Sequence, residues 1–290
     1  MKFGMIFANA GPAAQPDHAA ALGQIAEEAG LESLWTVEHA VVPAGYESQY
    51  PYSRDGRMPG GEDTPIPDPV VWLAFVAAHT TRITLGTGIL ILPQRNPVVL
   101  AKEAATLDVL CGGRLILGVG VGWLREEFDA LGVPFEERGA RTDEGIQALR
   151  ALWTQQEPTF EGRFSSFSRA KSFPKPVRPG GVPIAVGGHS EAAARRAGRL
   201  GDGFFPAGRD PEKVPGLIKV MRAAAEEAGR DPDAIEITTS MAGSTDIDAI
   251  RRLEDLGVSR IVVPPLGFDV ETLRTQVARF ADEVIAKAGG

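Results

Sequence analysis

Apolar residues along the chain fall into two alternating rhythms. Short apolar runs without polar alternation read as strands buried on both faces, and each is followed by a stretch with apolar positions at helical spacing. Met1 to Ala8 is such a run, closed by the turn sequence Asn-Ala-Gly-Pro. Asp17 to Ala29 then carries Ala21, Leu22, Ile25, Ala26 and Ala29 on a helical repeat, with Gly30 just past its end. The unit recurs. Ser33–Val37, Ile83–Leu92, Arg114–Val119, Pro183–Val186, Gly203–Pro206, Ile235–Ser240 and Arg260–Val263 read as further strands. Pro69–His79, Pro97–Leu110, Glu144–Trp153, Glu191–Leu200, Val214–Ala228, Ile247–Leu256 and Val270–Ala286 read as their helices.

Eight strand–helix units in one chain of 290 residues point to an α/β protein built as a single closed (β/α)8 barrel over residues 1–290. An open doubly wound sheet shows a similar alternation; the barrel is the favoured reading. Two stretches break the rhythm and are expected as insertion loops at the C-terminal mouth: Val41 to Pro67, rich in Gly, Pro and Tyr, and Phe160 to Pro179, read as a small hairpin and an extended crossing.

Composition narrows the chemistry. A net charge of -8 argues against a general affinity for nucleic acid or anionic membranes. The single cysteine, Cys111, makes no internal disulfide and suits a reducing compartment. With no charged leader or long apolar run after Met1, a cytoplasmic protein is expected. Carboxylates and histidines show no metal-ligand spacing, so no metal is expected, and no nucleophile elbow is present.

In a barrel the active site lies where strands end at the C-terminal face. After the second strand stand Glu38 and His39, an acid and an imidazole able to handle protons, or a solvated Glu beside a capping His. The third strand has two glycines near its end, Gly86 and Gly88, which mark a bulge, a close approach of another molecule, or tight interior packing. The fourth runs into Gly118-Val-Gly120-Val-Gly122-Trp123, whose spacing fails the dinucleotide fingerprint and fits a glycine rim on which a flat ring rests, walled by Trp123. The fifth ends Gly187-Gly188-His189-Ser190 at a helix start, an anion site suited to phosphate, with Ser190 as a plain N-cap in the alternative. Gly208 and Arg209 after the sixth strand stand near the same anion in this reading.

These motifs, with Arg95-Asn-Pro97, Arg138-Gly-Ala-Arg-Thr-Asp143 and Gly201-Asp-Gly203, together resemble the luciferase-like monooxygenase superfamily, and within it the F420-dependent (deazaflavin) oxidoreductases, over nearly the whole chain. The resemblance implies a TIM barrel holding a deazaflavin or flavin ring at its mouth, with a non-prolyl cis peptide, here Gly88-Ile89, backing the ring. It implies that Glu38 and His39 lie near the reactive centre with His39 the proton carrier, that Gly118, Gly120, Gly122 and Trp123 wall the cleft, and that Gly187, Gly188, His189 and Ser190 take the phosphate. The expected function is hydride transfer between coenzyme F420 and a small to medium organic molecule, in a homodimer. The alternatives are an FMN-dependent monooxygenase and a non-catalytic flavin-binding protein. The acidic tail of F420 leads to the expectation of basic residues at the rim, with Arg54, Arg57, Arg95, Arg125 and Arg209 as candidates. A sugar-phosphate isomerase or aldolase is disfavoured, because none of the seven lysines stands at a strand end.

Overall fold

A computed structural model of the chain describes residues 1–206, 211–241 and 246–288. The barrel strands are β1 (Lys2–Ile6), β2 (Ser33–Thr36), β3 (Thr84–Thr87) continued by β4 (Leu90–Ile91), β5 (Leu115–Gly120), β8 (Ile184–Gly187), β9 (Gly203–Phe205), β10 (Glu236–Ser240) and β11 (Val258–Val263). They pair in parallel in the order β3-β2-β1-β11-β10-β9-β8-β5, and β5 returns to β3 through Leu85 opposite Leu115, which closes the barrel. The helices are α1 (Pro16–Glu28), α2 (Pro69–Ala77), α3 (Pro97–Leu110), α4 (Arg125–Ala130), α5 (Arg138–Thr154), α6 (Glu191–Leu200), α7 (Val214–Glu227), α8 (Ile247–Asp255) and α9 (Val270–Phe280). Eight parallel strands and the closed barrel are as the hydrophobic rhythm predicts.

Differences lie where polar or glycine residues interrupt the pattern. The third strand is split, with Gly88-Ile89 between β3 and β4 and the peptide bond joining them cis. Helix α5 begins at Arg138, six residues before the apolar periodicity starts. Its polar first turns are held by contacts that propensity does not register: Arg141 pairs with Glu137 and the Thr142 hydroxyl donates to Arg138 O. Helix α4 was not expected at all.

The 160–179 segment connects α5 to β8, so it starts at the N-terminal end of the barrel, opposite the mouth. Its hairpin, β6 (Phe160–Glu161) with β7 (Ser166–Phe167), is carried back along α5 because the Glu144 carboxylate accepts the amides of Arg163, Phe164 and Ser165 at 2.8, 2.8 and 2.6 Å. Its tip thereby joins the outer rim of the mouth.

Trp35 fills the interior. Its indole donates to Ser33 Oγ at 2.9 Å and meets Phe205 edge-to-face at 5.7 Å. A Cβ at Gly86 would lie 2.6 Å from its ring, and one at Gly118 would collide with the Thr87 carbonyl and touch the same indole. Below it, Arg260 is 2% exposed and plugs the N-terminal end, donating to Glu32 at 2.7 and 2.9 Å, Glu236 at 2.7 Å and Thr238 at 3.1 Å.

Removing one side of a buried ion pair leaves the other charge uncompensated, typically at ~3–5 kcal/mol. Glu32 and Glu236 retain some solvent contact, which places Arg260→Met toward the lower end, about 3 kcal/mol. Urea unfolding measures it; an unchanged midpoint would show that the plug contributes nothing.

Candidate active site

The mouth is organised by side chains that accept backbone amides. Asn9, fully buried after β1, donates from Nδ2 to Val37 O and Pro67 O, both at 2.9 Å, and accepts from Val37 N at 2.9 Å. It thus ties together the two feet of the Val41–Pro67 insertion. The first turn of α4 holds the ascending limb. Arg125 N donates to Ser48 Oγ at 3.1 Å, Glu126 Oε1 accepts Glu47 N and Ser48 N at 2.7 and 3.0 Å, and Glu127 Oε1 accepts Ala40 N and Val41 N at 2.6 and 3.3 Å.

Glu38 and His39 turn to different partners. Both Glu38 oxygens are engaged, one by the Arg95 guanidinium (Nε at 2.8 Å) and the other by Ile91 N, and Arg95 also reaches Asp68 at 2.6 Å. Burial pushes the Glu38 carboxyl above the usual range, against the opposing pull of Arg95 and the Ile91 amide. Glu38 thus braces the end of β2 to β4 and the loop after it, and it makes no contact with His39. His39 has an 8% exposed side chain and places Nδ1 3.0 Å from Oε2 of Glu127, which is fully buried. Its ring meets the Trp123 edge at 5.6 Å and 87°.

The glycine motifs after strands β3, β5 and β8 prove to be parts of one packing arrangement. The Ile89 side chain lies across β5 and β8: a Cβ at Gly120 would come within 2.6 Å of its Cδ1, and one at Gly187 within 2.5 Å of its Cγ2. Gly88 N donates to Thr36 O at 2.6 Å, which fixes the bulge to the strand that leads to His39. Gly122, with φ +81°, leaves room for Phe128 and Ile91. Gly118 sits deeper, against Thr87 and Trp35, so what it accommodates is protein rather than the cleft.

At the end of β8, Gly188 has φ +145° and donates its amide to Phe205 O at 3.1 Å, so that amide is not available to an anion. Ser190 is the N-cap of α6, accepting Ala193 N at 3.2 Å, which leaves its hydroxyl proton to donate. His189 meets the Tyr52 ring at 5.4 Å. Gly208 and Arg209 lie outside the described residues.

Rings bridge the mouth from His39 to His189: Trp123 touches Tyr46 and Tyr50 at 5.5 and 5.2 Å, and Tyr50 touches Tyr52 at 5.2 Å. Burial pushes the Tyr50 hydroxyl well above its usual value, so it stays neutral. The rim arginines are largely committed within the chain: Arg57 donates to Tyr46 O at 2.7 Å, Arg125 to Glu136 at 2.7 Å, and Arg95 as above. Beside the mouth opens a pocket of ≈ 230 Å³ lined by residues 92–97, Val133, Arg141, Gly145, Phe164 and Ser165. Within it the buried Gln94 Nε2 has no hydrogen-bond partner. Among the described residues no group of three His, Cys, Asp or Glu is arranged to hold a metal ion, and no helix is long and apolar enough to cross a membrane.

Asn9, Glu126 and Glu127 were missed by sequence reading. The signal for the two glutamates was present, since they stand three and four residues after Trp123 at the end of the glycine rim; nothing local marks Asn9.

Fold and site define a (β/α)8 barrel scaffold with a covered mouth. Residues 1–262 match the family described as luciferase-like monooxygenase, and the chain belongs to that family. It is 38% identical over 275 residues to a protein of Mycobacterium tuberculosis, covering 92% of this chain and 94% of that one. It is 34% identical over 271 residues to the F420-dependent glucose-6-phosphate dehydrogenase of Kineococcus radiotolerans, covering 89% and 73%. Among solved structures it resembles a Streptomyces bottropensis monooxygenase (TM-score 0.80, 26% identity, 99% of each chain). The F420-dependent tetrahydromethanopterin reductase of Methanopyrus kandleri shares the fold (0.78, 20%, 99% of each).

The α4 clamp has a definite acid limit. Burial would raise the Glu126 carboxyl, but hydrogen bonds from the Ser48 side chain and the Glu47 and Ser48 amides hold it at about 2, below its ordinary 4.5. A depressed folded value means that this contribution is complete above about 4.5 and is lost as the pH falls through about 2. Protection of the Glu47 and Ser48 amides from hydrogen exchange should persist at pH 4 and disappear toward pH 2. Loss already near pH 5 would rule out this clamp.

Proposed function

We propose that this chain is an F420-dependent oxidoreductase that transfers a hydride between the deazaflavin and a small to medium organic substrate in the barrel mouth. The observation that carries the reading is the convergence of three strand ends on Ile89, next to the strand end that bears a buried, oriented imidazole. The 34% identity to an F420-dependent dehydrogenase supports the choice of cofactor.

The residues present fit such a group. Ile89 offers an aliphatic floor for a flat ring. The Ser190 hydroxyl and the first amides of α6, which have no partner within the helix, suit a phosphate. Gln94 Nε2, Arg141 and Ser165 make the neighbouring pocket rich in donors and suit an acidic tail. When bound, the deazaflavin would give or take the hydride and, with carbon in place of the flavin's reactive nitrogen, its reduced form would resist oxygen. The chain supplies the rest: His39 carries the proton, and Trp123, Tyr46 and Tyr50 exclude water from the transfer.

Titration should show F420 binding more tightly than FMN, with an affinity that falls as salt rises. Ser190→Ala should lose about 1 kcal/mol of capping stability and about tenfold in F420 affinity, ~1.4 kcal/mol. Ser190→Asp keeps the cap and should bind more weakly still, because its charge faces the phosphate. This pair is more informative than substitution at Gly188, where a Cβ would lie 2.6 Å from that of Ala193 and folding itself would suffer. Equal affinity in all three proteins removes the loop from the site. Tighter FMN binding, with oxygen uptake when reduced FMN is supplied, makes the chain a monooxygenase, the reading favoured by its likeness to the Streptomyces enzyme.

The same reading includes a homodimer. Val71 and Phe75 on α2 and Val98 and Val99 on the neighbouring α3 are exposed apolar residues, Val71 to 69%. Such a patch marks an association surface. Phe75→Glu should convert a dimer to monomer in sedimentation velocity; a wild-type monomer at micromolar concentration contradicts the assignment.

A further inference from the structure

An imidazole acts through one nitrogen at a time, and which nitrogen is free depends on what the other one meets. At His39 that partner is unusually constrained. Glu127 has no solvent contact, and its Oε1 receives the Ala40 and Val41 amides, so the carboxylate is turned with Oε2 toward Nδ1 at 3.0 Å. A carboxylate oxygen can only accept, so Nδ1 must carry the proton, and the lone pair of the neutral ring is then on Nε2. Trp123, edge-on at 87°, limits rotation of the ring about this bond.

We propose that Glu127 is the positioning residue of the site: it holds His39 as the Nδ1–H tautomer with Nε2 directed to proton exchange with the substrate. The same carboxylate fastens the stem of the 41–67 loop, so placement of the cover and orientation of the imidazole depend on one group. The role of His39 as proton carrier rests on the function proposed above; the tautomer does not.

Glu127→Gln separates the two functions of this side chain. The amide oxygen can still accept from Ala40 and Val41, which preserves the loop stem, whereas the –NH₂ now presented to Nδ1 is a donor. Nδ1 must then accept, and the proton moves to Nε2. Nitrogen-15 NMR of histidine-labelled protein without cofactor, at a pH where the rings are neutral, reads this directly. His39→Asn identifies the resonance among the four histidines. The expected result is an Nδ1–H ring in the wild type and an Nε2–H ring in Glu127→Gln, with the fold retained. Either an Nε2–H ring in the wild type or the same tautomer in both proteins overturns the proposal.

Turnover provides the second readout. A histidine held in the wrong tautomer loses most of its acid–base contribution, so Glu127→Gln should lower kcat by about 10²- to 10⁴-fold, approaching His39→Ala, with little change in KM. Glu127→Asp, which keeps an acceptor, should restore part of the rate; a purely structural anchor would show no such order of Gln below Asp. If the tautomer switches while both Glu127→Gln and His39→Ala turn over at the wild-type rate, positioning stands at the level of the ring and the proton-carrier reading of His39 falls.

Discussion

A barrel of eight strands encloses a fixed volume, and in this protein two side chains set which facing residues must be small beneath the mouth. Trp35 occupies the interior against Gly86 and Gly118, and Ile89 lies across Gly120 and Gly187. Protein interiors are packed to crystal-like density, so neither large residue could be there if the facing strands carried ordinary side chains. The glycines on β3, β5 and β8 are therefore the complement of these two residues, and the position of Ile89 follows from them. Everything built on the mouth takes its level from that floor.

Above the floor the connections are long and irregular, and their backbone groups need partners. Carboxylates supply many of them. Glu38 receives Ile91 N, Glu126 receives Glu47 and Ser48, Glu127 receives Ala40 and Val41, and Glu144 receives three consecutive amides of the hairpin tip. Hydrogen bonds to ionised acceptors are stronger than neutral ones. An acidic chain can thus use its carboxylates to hold its mouth loops.

The strand count, the glycine bulge on the third strand, the hairpin and the position of His39 at a strand end were legible in the sequence because each is a local pattern. The partner of His39 was not, since Glu127 is distant in the chain and reaches it only after the barrel closes. The partners of Glu38 are hidden for the same reason: its neighbour in sequence is a histidine, but its partners in space are Arg95 and Ile91. Gly118 faces the same side of β5 as Gly120 but lies a layer deeper, beside an indole that no local pattern could have located. The basic rim suffered similarly, because counting arginines on loops says nothing about which are already paired.

The distribution of fastening across the mouth follows from these contacts. On the side of β2 and α4, the 41–67 loop is held by Asn9, Glu126 and Glu127 through hydrogen bonds, most of them charge-assisted. Toward β8 it leans on rings, with Tyr50 on Trp123 and Tyr52 on His189. An aromatic pair adds about 0.5–1.5 kcal/mol beyond the area it buries, with a broad tolerance for small displacements. Hydrogen bonds to a carboxylate have stricter distance and angle requirements and hold the side nearest His39 in register. The directional contacts therefore stand beside the His39 imidazole. The adaptable ones stand over the glycine loop that follows β8.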